Sequence, residues 1–472
     1  MKRQMSRRNF LKMVSIATGA SAAVLAGCAP ATPAGPATAA PGTAATSAPP
    51  AQEASAPVPA LLRSGSGEED YFERTIKLFE SQNPTIKINR VYAPGGADYI
   101  TKLDLMIAGG DPPAIYAPFS SRGYRYYAAK GLSQPLDDFI TRDKMDLTDF
   151  YEDALKGCKY KGQYLALPLD AWPHLVYFNR DLFKKAGLPD LTTDWTDKTW
   201  DVMAYQNLAK KLTDPATNTL GSRIYNPNWP AGWSFGTDWF TPDVYETGIV
   251  KTWIGDTTPK TIAATQWVAD MVLKDKSATS PAQEKSLAAA NQNPFTTGKV
   301  GMYLGNIGDL STLQQITDFE WGIAAAPFPP GGSDPRHLHV WIDFWSMIKG
   351  VKNLEGAWQF LKYMVGAEAQ KIYPVEYGPQ SSLKSLASYW VDKQKALMPK
   401  KTAQEFQTMI DAPKYEQIDL ENWTINFSPI NDQALQPMLD VIWLGEKTAE
   451  QAIKDATPKI NQLIKDTTAG LS

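Results

Sequence analysis

Between residues 58 and 117 the chain alternates strand, helix, strand, helix, strand, and that order leaves few folds open. Residues 58–63 read as a first strand. Ser66 and Glu69 make a capping-box pattern opening a helix whose apolar face is Phe72, Ile76 and Phe79. Asn83-Pro84 stops that helix, and Ile86 and Ile88, running on to Arg90-Val91, form a second strand. A second helix carries Tyr99, Leu103, Met106 and Ile107 and ends at Gly109-Gly110, as a glycine C-cap does. After Asp111-Pro112-Pro113 comes a short apolar strand at 114–117. Helices placed between successive strands predict an α/β domain with a largely parallel sheet.

The pattern continues, less regularly. Lys161-Gly162-Gln163-Tyr164 reads as a turn into a strand ending near Pro168, and residues 174–179 as another strand. Residues 180–186 form a helix capped by Gly187. Thr199 is the expected N-cap of a helix with Trp200, Ala204, Leu208 and Leu212 on one face. Thr258-Pro259 opens a further helix with Ile262, Trp267 and Met271, proline suiting the first turn. Residues 322–328 read as a buried strand, 354–365 as an amphipathic helix and 448–464 as a last helix. No internal repeat is evident.

Ahead of this body stand two segments that cannot join a core. Ser6-Arg7-Arg8-Asn9-Phe10-Leu11-Lys12 is a twin-arginine export signature, and a weakly apolar run at 13–24 follows. That run is too short and too rich in Gly, Ser and Ala to span a bilayer, so it reads as a signal segment. Leu25-Ala26-Gly27-Cys28 matches a lipobox, which makes Cys28 the expected lipidated N-terminus of a protein held outside the cytoplasm at the cell membrane. Twin-arginine signals are addresses rather than anchors, so tethering rests on the lipid. Residues 29–59 are almost wholly Ala, Pro, Thr, Gly and Ser, without an aromatic residue. Such a segment has little apolar surface to offset its ordering entropy and is expected to stay extended as a disordered linker. At about 3 Å per residue it reaches on the order of 90 Å.

The chain is 43% hydrophobic and 21% charged with a formal net charge of −3, so it offers no basic field for nucleic acid. It has 2 Cys; with Cys28 lipidated, Cys158 has no partner and no disulfide framework exists. Cys158 reads as a small buried residue. The 15 Trp, 20 Tyr and 17 Phe are unusual, since several stand in Gly/Pro/Asn-rich stretches where loops are expected.

The order of segments over 60–472 resembles the extracellular solute-binding proteins of ABC importers, the sugar-binding group that includes maltose-binding protein. The resemblance rests on Lys102-Leu103 through Gly109-Gly110-Asp111-Pro112-Pro113, and on Gly162-Gln163-Tyr164 to Pro168. It continues in Tyr177-Phe178-Asn179-Arg180-Asp181-Leu182-Phe183-Lys184-Lys185-Ala186-Gly187-Leu188, Thr199-Trp200-Asp201, residues 295–302 and residues 445–452. It implies a two-lobed periplasmic-binding-protein-like fold of type II, with three hinge crossovers near 169–174, 327–336 and 373–382. Lobe 1 would comprise 60–171 and 329–376, and lobe 2 172–328 and 377–472. A ligand would be enclosed at the cleft between lobes, and cleft closure is a hinge motion. Two positions depart from the family pattern: Ala114 stands where Asp is frequent, and 301–309 lacks the Gly-x-Trp aromatic.

Sugars present apolar C–H faces and a rim of hydroxyls, so their sites combine flat aromatic rings with planar polar groups. The resemblance puts Trp172 and Asp170 on the first crossover, where related proteins contact ligand. Trp341, Asp343 and Trp345 alternate, so one strand face would carry two indoles and a carboxylate, an odd face for a core. The loop-like stretch 226–240 holds Trp229, Trp233 and Trp239, of which Trp233 is the preferred stacking ring. Further candidates are Ser64, Ser66, Ser120, Ser121 and Arg122 at strand ends, Asn306 and Asp309 in the altered loop, Tyr377 at the third crossover, and Trp423 with Phe427 in the C-terminal segment.

No GxSxG, P-loop, HExxH or dinucleotide fingerprint is present, and Asp137-Asp138 reads as helix capping. His337-x-His339 lacks a matching ligand pair, so neither a metal nor a cofactor is expected. The resulting expectation is a monomeric, membrane-tethered receptor that captures a carbohydrate, an oligosaccharide by preference, and hands it to an ABC permease. Alternatives are the same receptor for a glycerophosphate, peptide or polyamine, and a secreted carbohydrate-active enzyme. A phosphate would call for Arg or Lys in the cleft, where Arg122 and Arg336 are the evident candidates.

Overall fold

The computed structural model describes residues 56–65, 68–117, 123–224, 235–289, 293–333, 336, 338–377, 379–418, 420, 424–469 and 471. Its strands are β1 (Val58–Ser64), β2 (Ile88–Pro94), β3 (Ile115–Tyr116), β4 (Lys159–Tyr160), β5 (Gln163–Tyr164), β6 (Ala166–Trp172) and β7 (His174–Asn179). They continue with β8 (Leu220–Ile224), β9 (Val300–Asn306), β10 (Trp321–Ala324), β11 (Leu338–Met347), β12 (Gln380–Ser381) and β13 (Glu416–Ile418). The first sheet runs β12-β6-β11-β3-β1-β2, with β13 paired to the start of β11; the second runs β10-β7-β9-β8.

Strands β1, β2 and β3 are parallel, as the strand–helix alternation predicts. The sheet as a whole is mixed, because β11 pairs antiparallel with both β6 and β3. Connectivity explains the reversal. β6 leaves the first sheet at Trp172 and hands over to β7 through Pro173 alone, whereas β11 brings the chain back after β10. Outgoing and returning strands lie side by side and must run in opposite directions. The carboxyl ends of β1, β3 and β6 therefore share one edge with the start of β11.

Local chemistry sets the helices. Helix Glu68–Gln82 opens with Glu68, Glu69 and Asp70, acids that suit the positive end of a helix dipole, and buries Tyr71, Phe72, Ile76 and Phe79. Helix Leu354–Met364 is capped by Asn353, and Ala449–Thr468 by the Thr448/Gln451 capping box. Helix Val202–Leu212 is capped by Asp201 rather than Thr199: Asp201 accepts from Met203 N at 3.0 Å and Ala204 N at 2.8 Å. The Thr199 hydroxyl is instead bonded to Asp197 at 2.6 Å, which delays the helix start.

Each sheet has its own core. Around the first gather Phe72, Ile76, Trp345, Trp358 and Phe360; around the second, Phe178, Trp200, Tyr303, Ile323 and Leu439. Trp172 packs against both. Near the expected third crossover, Gln380 and Ser381 pair with β6, and Leu383 and Leu386 lie in the first core, whereas Trp390 lies in the second. β13 also returns to the first sheet. Assigning everything after residue 376 to the second lobe is therefore corrected: backbone pairing keeps 380–381 and 416–418 with the first sheet, and Leu383 and Leu386 pack into its core. Cys158 is fully buried and free. Among the described residues no helix is long and apolar enough to cross a membrane.

Gly221 in β8 shows how closely the second lobe packs: a Cβ there would stand 1.7 Å from the Ala209 carbonyl oxygen. Backbone cannot yield as a flexible side chain does. Gly221→Ala is expected to cost about 2–3 kcal/mol, measured as a lower denaturant midpoint at unchanged slope.

Candidate functional site

The shared strand edge carries the chemistry. Trp172 closes β6, and its cross-strand neighbour on β11 is Trp341; Asp170 likewise faces Asp343. The Trp172 indole Nε1 donates to Asp170 Oδ1 at 2.8 Å and to Asp343 Oδ2 at 3.2 Å. One N–H thus serves carboxylates from two strands, and it holds the ring at the junction of the two sheets. The Trp341 Nε1 is buried without a hydrogen-bond partner among the described residues.

The alternation along β11 puts Trp341, Asp343 and Trp345 on one face, but depth divides them. Trp345 is 0% exposed and meets Phe72 edge-on at 6.2 Å inside the first core. Its expected place on the cleft wall is corrected: two residues further along the strand, the same face points beneath helix Glu68–Gln82. A register shift at Asp343/Phe344 separates the polar end of the strand from this apolar end.

Arg63 and Glu68 complete the group. Arg63, near the carboxyl end of β1, donates through Nε to Glu68 Oε2 at 2.5 Å, again through Nη2 to Glu68 Oε1, and through Nη2 to the Tyr373 hydroxyl at 3.3 Å. Strand ends are where the sequence points, at Ser64, and the structure puts the charged group one residue earlier, at Arg63. Asp170 is 0% and Asp343 7% exposed. Burial, reinforced by the Asp343 charge, pushes the Asp170 carboxyl well above the carboxylate range. Burial likewise pushes Asp343 up to about 7, against the opposing pull of Arg63.

On the second sheet, Asn306 and Asp309 form a capping box over the turn after β9. Asn306 Oδ1 accepts from Gly308 N at 2.8 Å, and Asp309 Oδ2 from Asn306 N at 3.1 Å. Both side chains thus hold the loop's shape. Gly308 lies so close to the indole that a Cβ would be 2.3 Å from Trp172 Cζ3. Trp172 therefore rests on the very turn that lacks the family's aromatic. Asp309 is pushed up to about 6 by burial, opposed by the Arg223 charge. Arg223 itself is bound to Glu284 at 2.9 Å.

Other candidates separate cleanly. Trp239 stacks on Trp253 at 5.4 Å in the second core, and Phe427 is buried there too. Arg336 is enclosed by Phe328, Trp195 and Tyr415, its guanidinium carbon 3.4 Å from the Phe328 ring centre, and it donates to the Ala326 carbonyl at 3.3 Å. It clasps three chain segments and is not offered to a phosphate. Tyr377 ends helix Ala367–Tyr377, and its side chain lies outside the description. Cys28, Ser66, Ser120, Ser121, Arg122, Trp229, Trp233, His337 and Trp423 lie outside the described residues. Among those described, no group of three or more His, Cys, Asp or Glu could hold a metal ion.

A buried carboxyl whose folded value exceeds its unfolded value keeps its proton longer in the folded chain, so its stabilising effect is present at low pH and lost as pH rises through the folded value. Asp343 should therefore lower stability between about pH 4 and about pH 7. Thermal melts across that window should show Asp343→Asn gaining on the wild type as pH rises; a pH-independent difference would contradict this.

Residues 60–371 match the family described as bacterial extracellular solute-binding protein. A binding protein of Brucella abortus (strain 2308) is 26% identical over 412 residues, which cover 84% of this chain and 90% of the relative. The fold is shared with the Listeria monocytogenes ABC substrate-binding protein solved with cycloalternan: TM-score 0.70, 23% identity, 87% of this chain and 99% of that one. It is shared equally with Mycobacterium tuberculosis UgpB solved with glycerophosphocholine: TM-score 0.68, 17% identity, 88% and 100% coverage. With two sheets, two cores and a polar edge where they meet, the chain belongs to the bacterial extracellular solute-binding proteins, receptors that bind a solute and do not transform it.

Proposed function

We propose that this protein is the tethered receptor of an ABC importer and captures a carbohydrate between its lobes. The observation that carries the reading is the Trp172 indole, anchored through its N–H on Asp170 and Asp343 where the two sheets meet. A fixed indole offers an apolar face to sugar C–H groups, and carboxylates accept hydrogen bonds from hydroxyls. The Listeria relative, solved with cycloalternan, supports the same class.

The tuberculosis relative, solved with glycerophosphocholine, raises the phosphate alternative. Among the described residues, the charges disfavour its phosphate group. An anion entering this edge would meet Asp170, Asp343 and Glu68, while Arg63 is held by Glu68, Arg223 by Glu284 and Arg336 by its aromatic enclosure. The same acids disfavour a peptide carboxylate.

Calorimetric titration of the purified protein with mono- and oligosaccharides of glucose, mannose and galactose, with glycerophosphocholine as comparison, tests the reading. Saccharide binding is expected, and Trp172→Ala should weaken it at least about tenfold, roughly 1.4 kcal/mol. Binding of glycerophosphocholine alone would overturn it.

Export by the twin-arginine route and lipidation at Cys28 belong to the same proposal, supported by Arg7-Arg8, by Leu25-Ala26-Gly27-Cys28 and by the Ala/Pro-rich 29–59. Cys28→Ser expressed in a lipoprotein-processing host should move the protein from the membrane to the soluble fraction. An unchanged distribution would remove the anchor.

A further inference from the structure

Hydrogen-bond supply and demand around Trp172 do not balance. Asp170 and Asp343 bring four acceptor oxygens to the Trp172 indole N–H and, at Asp170, the Asp343 backbone N–H. Asp170 Oδ2 is buried, the residue is 0% exposed, and this oxygen has no partner among the described residues. It makes no shared-proton bond to Asp343 that would quiet the pair. Charge is equally uneven. Asp170 and Asp343 extend from β6 and β11 and Glu68 from helix Glu68–Gln82; burial and the Asp343 charge keep a proton on Asp170, so the negative charge rests on Asp343 and Glu68, and the cation facing them, Arg63 from β1, is already gripped by Glu68 and touches Tyr373. Tyr71 and Tyr373 line the same group and carry no charge near neutral pH, since burial raises both.

A sugar hydroxyl could supply one donor and leave the charge untouched. An ammonium group supplies three donors and a positive charge, and it is also drawn to the face of an indole. We propose that Asp170 and Asp343, beside Trp172 and Trp341, form a subsite for a protonated amine, so that the captured ligand is an amino sugar, free or within an oligosaccharide. This rests on the saccharide-receptor reading and narrows it. Asp343 keeps 7% exposure and is the member of the pair that an incoming group meets. Asp343 is held up to about 7, so an ammonium arriving at neutral pH takes the place of a proton that leaves to solvent.

The test is calorimetry on the full protein with matched probes: glucosamine, galactosamine and mannosamine and their disaccharides, the N-acetylated forms, and the hydroxyl parents. The amines are expected to bind at least about tenfold tighter than both counterparts. Their heats should vary with the ionisation enthalpy of the buffer, and the parents' heats should not. Asp343→Asn and Asp170→Asn should each erase most of the preference while retaining weaker binding of the parents. Because either variant could misfold, the wild-type comparison stands by itself. Parents or N-acetyl forms binding as tightly as amines would overturn the amine subsite and leave the saccharide receptor intact. Silence from all three sets would overturn both.

Discussion

A buried carboxylate is costly, and two on neighbouring strands are costlier still, unless a donor is brought to them. Here the donor is the indole N–H of Trp172, and much of the molecule's geometry follows from that need. Trp172 ends the outgoing strand β6, one residue before the chain enters the second sheet. Its ring rests on Gly308, where only a hydrogen fits, and packs against both cores. Its N–H reaches a carboxylate on its own strand and another on the returning strand β11. Any movement of one sheet relative to the other must disturb at least one of these contacts. If Trp172 stacks on the ligand as proposed, capture and lobe position are coupled through this single side chain.

Three described arginines serve the scaffold. Arg336, buried among Phe328, Trp195 and Tyr415, fastens the returning segment to the second core. Arg180 joins Asp190 and the buried Glu405, which itself accepts from the backbone of β10. Arg63 is committed to Glu68 and Tyr373. With Arg63, Arg223 and Arg336 occupied, the edge between the sheets is acidic and aromatic among the described residues. That combination admits groups that donate hydrogen bonds or carry positive charge, and it repels phosphate and carboxylate.

Legibility in the sequence followed the range of the interactions. Helix Pro259–Ala269 opens after Thr258, and helix Ala449–Thr468 after Thr448, as read, because caps and first-turn prolines act within a few residues. Strand β7 has the residues expected of it, because the four-residue apolar run Leu175-Val176-Tyr177-Phe178, between Pro173-His174 and the helix cap Asn179, leaves little choice. Thr199 misled because its hydroxyl had a nearer partner in Asp197, a competition that spacing cannot reveal. The odd Trp-Asp-Trp spacing did place Trp341 and Asp343 beside Trp172. It could not say that Trp345 would be roofed by Phe72, a residue far away in the chain.

By itself the sequence determined the class of fold, the family and most helix boundaries, since these depend on periodicity, caps and the order of segments. It also supplied the aromatic and acidic residues from which a binding edge could be made. Only the tertiary structure decided which of them meet. The antiparallel return of β11 sets Asp343 against Asp170, the one-residue passage at Pro173 sets Trp172 between two cores, and distant partners engage Arg63 (Tyr373) and Arg223 (Glu284). These outcomes rest on contacts between residues far apart in the chain, and no local pattern encodes which distant partner a side chain will find.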